Sequence, residues 1–191
     1  MAVSREPEST FVAMLRGVNV GGKHVLPMRD LVTMFHDAGC SHASAYIQSG
    51  NVVFRARASV ASRVPDAVQR AIHARYKFGA RPVVRTAEDL QRIAGDNPYL
   101  TWDRDGRTLH VAFLADAPTM DRVAALDRHR SPPDEFVVLG SEVYLRCPNG
   151  MAHSKLTNQY FDATLSTTST VRNWRTVLKL AELAERARAA G

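Results

Sequence analysis

The amino-acid sequence predicts an α+β protein, and three observations support this. Its 191 residues are 45% hydrophobic and 23% charged, the balance of an ordinary globular protein with one good-sized domain or two small ones. Short apolar runs alternate with helical patterns in the order strand, helix, strand, strand, helix, strand. The same order then begins again. This is the split βαβ pattern, so we predict duplicated ferredoxin-like subdomains with an extra C-terminal helix.

The first predicted subdomain covers residues 10–95 and follows a lead-in, residues 1–9, whose composition predicts disorder. Pro27 is expected to open the first helix and Gly39 to cap its end. A compact turn at residues 48–51 joins two strands into a hairpin. The predicted strands are 10–15, 43–47, 52–55 and 81–86, and the further predicted helices are 59–76 and 87–94.

The second predicted subdomain covers residues 107–190, after a break at 95–99 and a turn at 104–106. Pro118 is expected to open its first helix, and Gly140 to turn its hairpin. The predicted strands are 108–114, 135–139, 142–146 and 167–170, and the predicted helices are 119–127, 154–165 and 173–190. No sequence repeat supports the duplication, and the alternative is a single larger α+β sheet. We expect the two subdomains to pack as one unit.

Charge and cysteine usage limit the class of protein. The formal charge is +6 and the pI about 9.7, but the charge is spread along the chain, which indicates a solvated surface more than a polyanion-binding block. Cys40 and Cys147 form neither a disulfide framework nor a zinc pattern. The sequence shows no signal peptide and no apolar run of the roughly 18 residues that span a bilayer. These features predict the cytoplasm and no membrane partner.

The first of three polar clusters lies at residues 15–23, between the first predicted strand and helix. Its glycines could direct backbone N–H groups outward while Arg16 and Lys23 add positive charge, which would form an anion pocket. The Walker A pattern fails, because His24 stands where a serine or threonine would hold magnesium, and the dinucleotide-binding pattern fails as well. The alternative is a tight turn that requires positive φ, with Arg16 and Asn19 bonding the backbone.

Two further clusters follow. In residues 46–51, the amide of Gln48 and the hydroxyl of Ser49 would suit a hydrogen-bonded ligand, whereas the rest favours turn chemistry. The third cluster places Ser154 and Lys155 at a predicted helix start and residues 170–172 before the last helix, where backbone N–H groups favour anions. The alternative is that its hydroxyl residues are helix caps.

Together the clusters give seven candidate ligand-binding residues, and we expect Lys23 to face Lys155 and Arg172 across one pocket. The candidates are Arg16, Asn19, Lys23, Gln48, Ser49, Lys155 and Arg172. The histidines show no metal-binding spacing, and no hydrolase motif is present. We therefore predict no metal site and no cofactor, and identify no catalytic group.

The motifs resemble those of one mainly bacterial family, catalogued as domain of unknown function 1697. The family pattern reads LLRGINVGGKN, TYIQSGNVVF, NPF, SKL and TxRNWxT, which this chain matches at residues 15–23, 46–54, 96–100, 154–156 and 170–180. His24, Ala45 and Tyr99 depart from it. The resemblance covers nearly the whole chain. It implies a duplicated ferredoxin-like fold and no activity, since the family has none assigned.

The function predicted from these clusters is a cytoplasmic binding domain for a small anionic or phosphorylated ligand, such as a nucleotide. The first alternative is nucleic-acid binding on a ferredoxin-like sheet, which would need exposed strand aromatics. The second is an enzyme acting on a phosphorylated substrate, for which no general base is identifiable. The third is a structural or protein-interaction module, in which every cluster is turn and capping chemistry. The sequence does not indicate an oligomeric state.

Overall fold

The computed structural model describes residues 6–101 and 106–190. The chain divides into two compact units, which we call unit 1, Met1–Gln91 with Leu180–Gly191, and unit 2, Arg92–Lys179. Within the described residues the fold is mixed α+β, with two four-stranded antiparallel sheets and seven α-helices. The coarse prediction of an α+β protein is therefore confirmed.

Unit 1 contains one sheet with the strand order β2-β3-β1-β4. Its strands are β1 (Glu8–Met14), β2 (Ser41–Tyr46), β3 (Asn51–Arg57) and β4 (Val83–Thr86). Its helices are α1 (Met28–Asp37), α2 (Ala58–Ala61), α3 (Val64–Tyr76) and α4 (Ala87–Gly95), and the last residues of α4 belong to unit 2.

The core of unit 1 lies between one face of this sheet and its helices. Alternate side chains of β1 and β3 point to that face, and Phe11 stacks on Phe54 with ring centroids 5.6 Å apart. Phe35 of α1 meets Phe54 at 5.1 Å, and Ile72 of α3 is fully buried in the same cluster. Burial of these rings fixes the sheet against α1 and α3.

Several boundaries in unit 1 differ from prediction. The strand β1 begins at Glu8, so part of the predicted lead-in is sheet, while residues 1–5 lie outside the described part of the chain. The single helix predicted at 59–76 is wrong, because α2 ends before Pro65, which stands in the first turn of α3. The predicted cap at Gly39 is confirmed by its positive φ of 91° and by a hydrogen bond of 3.0 Å from the N–H of Cys40 to the carbonyl of Phe35.

Unit 2 contains the second sheet, with the strand order β6-β7-β5-β8. Its strands are β5 (Leu109–Leu114), β6 (Glu135–Leu139), β7 (Glu142–Arg146) and β8 (Ser169–Asn173). Its helices are α5 (Met120–Ala124), α6 (Asn158–Leu165) and α7 (Trp174–Ala189), and α7 continues into unit 1 from Leu180. The bounds of β6 and β7 match the predicted hairpin. Residues 104–105 of the predicted turn lie outside the described residues.

One predicted helix start in unit 2 is wrong, and the other two are displaced by one residue. The chain at Ser154 and Lys155 is not helical, and α6 begins after Thr157, whose hydroxyl accepts the N–H of Tyr160 at 3.2 Å. Thr170 lies inside β8 and caps nothing, because the cap contact of α7 is made by Asn173 Oδ1, 2.8 Å from the N–H of Thr176. The helix α5 likewise begins after Thr119, one residue past Pro118.

Candidate functional site

The loop between β1 and α1 contains a short β-hairpin with two glycines at its tip. Gly21 and Gly22 have φ of 58° and 72°, and the N–H of Lys23 donates to the carbonyl of Val20 at 3.0 Å. Positive φ at both central residues is the signature of a type I′ turn. The structure thus favours the tight-turn alternative for these glycines, and Lys23 does not adjoin a helix start, since α1 begins only at Met28.

Asn19 ties this loop to the loop of the neighbouring hairpin. Its side-chain Nδ2 donates to the carbonyls of Gln48 at 2.8 Å and Leu26 at 2.9 Å, and its Oδ1 accepts the N–H of Leu26 at 2.8 Å. Its own φ of 56° is in the left-handed region, which asparagine tolerates better than most residues. Two of these hydrogen bonds close the loop of residues 15–27, and the third joins it to residues 47–50. We call these two segments the two-loop platform.

Gly50 completes the platform by allowing the two backbones to approach closely. Its carbonyl accepts the N–H of Leu15 at 2.8 Å. A Cβ at position 50 would lie 2.6 Å from Val18 Cγ2 and 2.9 Å from Leu15 Cβ, and the φ of Gly50 is 75°. Only glycine fits this position without displacing its neighbours.

The hairpin side of the platform is held by Asn51, which is fully buried. Its Nδ2 donates to Ser49 Oγ at 2.9 Å and to the carbonyl of Tyr46 at 3.3 Å. This agrees with the predicted turn chemistry for Asn51. It also shows that the hydroxyl of Ser49 is engaged within its own loop.

The remaining polar side chains of the platform face solvent. Arg16, Lys23 and Gln48 are exposed. Neither segment of the platform contains an aspartate or glutamate, and Lys23 forms no ion pair with any residue in 6–101 or 106–190. The platform thus displays two cations and an amide with no carboxylate among them, an arrangement that favours an anion.

His24 is held at the base of the platform. Its Nδ1 lies 3.0 Å from the carbonyl oxygen of Gly17, and its ring stacks on Phe78 with centroids 4.5 Å apart. A carbonyl accepts, so this contact requires a proton on Nδ1. His24, which departs from the family pattern, therefore has structural contacts at Nδ1 and at one face of its ring.

In unit 2, Lys155 is exposed while its backbone is fixed. Its N–H donates to Ser131 Oγ at 3.0 Å, and its carbonyl accepts Arg130 Nε at 3.2 Å. The hydroxyl of the buried Ser154 accepts the N–H of Leu156 at 3.0 Å. Lys155 therefore has the exposure that contact with a ligand requires, whereas Ser154 serves the local turn.

Arg172 is only 9% exposed, although it was predicted as a ligand contact. Its Nη1 donates to Thr170 Oγ1 at 2.7 Å and to the carbonyl of Val171 at 2.9 Å, and burial lowers the pKa of its guanidinium to about 10. A ligand would reach it only after a rearrangement that uncovers it. Because Lys23 belongs to the other unit, the predicted pocket that joins it to Lys155 and Arg172 stays a prediction.

Sequence reasoning missed Arg85, which is buried in unit 1 in the same way. It is 8% exposed, and its Nη1 donates to the carbonyl of Val84 at 2.9 Å. The signal was the dipeptide Val-Arg, whose arginine is the second-last residue of a strand that precedes a helix at both Arg85 and Arg172. Such a short match carries little weight until the structure shows its equivalent place.

The described residues offer little for covalent or metal chemistry. Within 6–101 and 106–190, no group of three or more histidine, cysteine or acidic side chains could hold a metal ion. Burial raises the pKa of both free thiols, Cys40 and Cys147, to about 11, so neither is a thiolate at neutral pH. No helix in the described part of the chain is long and apolar enough to cross a membrane.

The aromatic side chains of the strands lie in the protein interior. Phe11, Phe54, Phe113 and Tyr144 are all buried, and Tyr46 is half-buried. Stacking of nucleic-acid bases requires exposed rings. These strands therefore give no support to base stacking on the sheet.

Comparison with known proteins places this fold. The chain is similar in structure to the conserved bacterial protein SP0830 from Streptococcus pneumoniae, with a TM-score of 0.70 and 21% identity over 93% of this chain and 99% of that one, a likeness of fold alone. No curated protein matches the sequence. The model of the family described as "Protein of unknown function (DUF1697)" matches residues 9–144, which confirms the resemblance of the motifs. The match extends over more than half of the residues, and the chain therefore belongs to this family of proteins of unknown function.

Proposed function

We propose that this protein is a cytoplasmic binding domain for a small anionic or phosphorylated ligand, such as a nucleotide, which binds at the two-loop platform. The observation that carries the proposal is the combination of two exposed cations, Arg16 and Lys23, with an exposed amide at Gln48 and no carboxylate in either segment. Arginine offers a planar fork to phosphate oxygens and lysine a compact charge.

The rigidity of the platform supports a binding role. The hydrogen bonds of Asn19 and the close approach at Gly50 order both loops. A pre-ordered loop loses less conformational entropy when a ligand binds, so more of the contact energy appears as affinity. Three of the family's signature residues, Asn19, Gly50 and Asn51, thus hold the platform, while Arg16, Lys23 and Gln48 are presented by it.

For unit 2 we propose Lys155 as an additional anion contact. It is exposed, and its neighbour Arg130 lies over the ring of Tyr160 at 4.1 Å, which adds a second cation to that surface. Arg172 would join such a site only in a state in which β8 is locally opened, because its guanidinium is buried.

The proposal is tested by isothermal titration calorimetry at low salt with pyrophosphate, AMP and ATP as probes. We expect at least one probe to bind, and Lys23→Ala to weaken it about 10-fold or more, since a charge-assisted hydrogen bond contributes about 1.5–3 kcal/mol. The matched control is Arg70→Ala, which removes one exposed cation from α3. Absence of heat with all three probes, or an equal loss in Arg70→Ala, would refute binding at the platform.

We further propose that the two sheets belong to duplicated ferredoxin-like subdomains, near residues 10–95 and 107–190. The orders β2-β3-β1-β4 and β6-β7-β5-β8 are equivalent when the strands are counted from the start of each sheet, and helices follow the same strands in both. The two buried thiols are consistent with a reducing compartment.

A further inference from the structure

The strand β6 is an edge strand with an unusual composition. It pairs with β7 on one side and with no other strand in the described residues. Val137 and Val138 are half-buried, and Leu139 is 43% exposed. Edge strands normally carry lysine, proline or an irregularity that prevents pairing with another chain. This strand has none of these between its ends.

The equivalent edge strand of the other sheet, β2, shows the ordinary protection. β2 is polar, and its pairing with β3 shifts register between Ser41 and Ser44. His42, inside this irregular segment, has φ of 50°. Such a bulge twists an edge and hinders further pairing. The same chain therefore protects β2 and leaves β6 regular and apolar.

Beside β6 runs an apolar groove of about 290 Å³, bounded by α5 on its other side. Met120, which is 81% exposed, and Val123 line it from α5, while Phe136 and Val138 line it from β6. The helix α5 is only five residues long and leaves this part of the sheet face open. The groove would accept apolar side chains of a strand added to β6.

The backbone of β6 is suited to such an addition. The two-residue turn at Gly140 and Ser141 makes Leu139–Glu142 the hydrogen-bonded pair next to the turn. Alternation along an antiparallel ladder then directs the N–H and C=O groups of Phe136 and Val138 away from β7, toward the open edge. Two residues of β6 are thus placed to hydrogen-bond a further strand.

Charge at one end of the groove indicates the direction of that strand. Arg128 lines the groove and lies in the segment that joins the end of α5 to Glu135, which places it near the beginning of β6. Glu135 pairs with Arg146 at 3.2 Å, and Arg128 is the one charged side chain among the described residues that line the groove. A strand that runs antiparallel to β6 would bring its C-terminal end here.

We propose that β6 and the groove bind an extended peptide segment of a partner protein by strand addition. The peptide runs antiparallel to β6, places apolar side chains in the groove, and ends in an acidic residue or free carboxylate beside Arg128. A second copy of this chain fits less well. In a two-fold β6 pair, Arg128 would meet the end of β6 at Leu139 and Gly140, which offers no carboxylate.

The test uses the full chain and a displayed library of random peptides of about seven residues with free C-termini, the length of an ordinary strand. We expect enrichment of peptides with alternating apolar residues and a carboxylate end. The synthetic consensus peptide is then measured by fluorescence polarisation, together with a backbone N-methylated version and a C-terminal amide version. N-methylation should abolish binding, and the amide should bind several-fold more weakly.

Three variants locate the site. Met120→Asp should weaken the consensus peptide at least about 10-fold by placing a charge in the groove, whereas Leu178→Asp, at another exposed leucine of unit 2, should leave affinity unchanged. Arg128→Gln should remove the difference between the carboxylate and amide peptides. Failure to enrich any peptide, full binding of the N-methylated form, or equal losses in the two aspartate variants would overturn the proposal. So would a dimer in light scattering that Met120→Asp dissociates, because the groove would then belong to a second copy.

Discussion

Replacing Asn19 with alanine tests whether one side chain holds the two-loop platform. The change removes three hydrogen bonds, two to Leu26 and one to Gln48. Each hydrogen bond that Asn19 Nδ2 donates contributes about 0.5–1.5 kcal/mol to the free energy of unfolding. Loss of the Oδ1 acceptor costs about 1–3 kcal/mol, because the buried N–H of Leu26 is then left without a partner. Alanine at a φ of 56° adds about 1 kcal/mol of backbone strain. The expected loss in free energy of unfolding is therefore about 3–7 kcal/mol.

Urea unfolding followed by circular dichroism measures this loss, with the slope against denaturant compared between variants. Two variants separate its causes. Asn19→Gly removes the same hydrogen bonds but relaxes the backbone, so it should be about 1 kcal/mol more stable than Asn19→Ala. Asn149→Ala, at an exposed asparagine in a turn of unit 2, should be nearly neutral.

The reasoning is refuted if Asn19→Ala loses less than about 1 kcal/mol, or no more than Asn149→Ala. A second readout separates anchoring from general stability. Because Asn19 anchors the loop that carries Lys23, Asn19→Gly should weaken pyrophosphate binding at a temperature where the variant is fully folded. Unchanged affinity in that folded variant would show that the platform needs no such anchor.

Three further predictions follow from the structure. Gly50→Ala should destabilise the protein by several kcal/mol more than Gly140→Ala, as measured by urea unfolding. Both glycines have positive φ, but only at position 50 would the added Cβ collide with neighbours. Equal losses in the two variants would contradict this prediction. Burial lowers the pKa of His110 in the folded protein, so as pH falls the unfolded chain binds a proton at His110 before the folded one does. The free energy of unfolding should therefore decline below about pH 6.5, the ordinary pKa of histidine. The decline should be smaller in His110→Gln. Cys40 and Cys147 should resist a chromogenic thiol reagent at neutral pH until urea unfolds the chain, and rapid labelling of the folded protein would refute their burial.

The order of strands and helices was predictable because each element carries its own local signal. The hairpin of β6 and β7 was predicted to the residue, since apolar runs border a Gly-Ser turn. The end of α1 was likewise marked by Gly39, whose positive φ any other residue would strain. Where a turn or cap depends on one residue type, the sequence alone is enough to predict where the element ends.

The start of α6 was not predictable in the same way. Ser154 and Thr157 both have the hydroxyl of a cap, and the sequence does not show which one will face a free N–H group. Ser154 is drawn into the buried turn beside Leu156, so the helix begins only after Thr157. The choice is made by tertiary contacts.

The burial of Arg172 and Arg85 was missed for a different physical reason. Arginine is seldom buried, because removing its charge from water is costly unless hydrogen bonds compensate. Here the strand itself supplies part of the compensation, since each guanidinium donates to the carbonyl of the preceding valine. Periodicity does not reveal such a contact, so a motif that looked like an anion site in the sequence is partly internal structure.

These two arginines also bear on where function lies. Arg85 of β4 is opposite Val12 of β1, and Arg172 of β8 is opposite Val111 of β5. The two units therefore contain a buried arginine at the same position of the sheet. Features present in both units are explained by the shared architecture. The first segment of the two-loop platform has no counterpart in unit 2. Residues 15–27 join β1 to α1, whereas the corresponding link from β5 to α5 is only residues 115–119, which contain no glycine and no cation. A long, rigidly held, cationic loop that only one unit possesses is not required by the fold, and this is the physical reason to seek the ligand at Arg16 and Lys23 before Arg172.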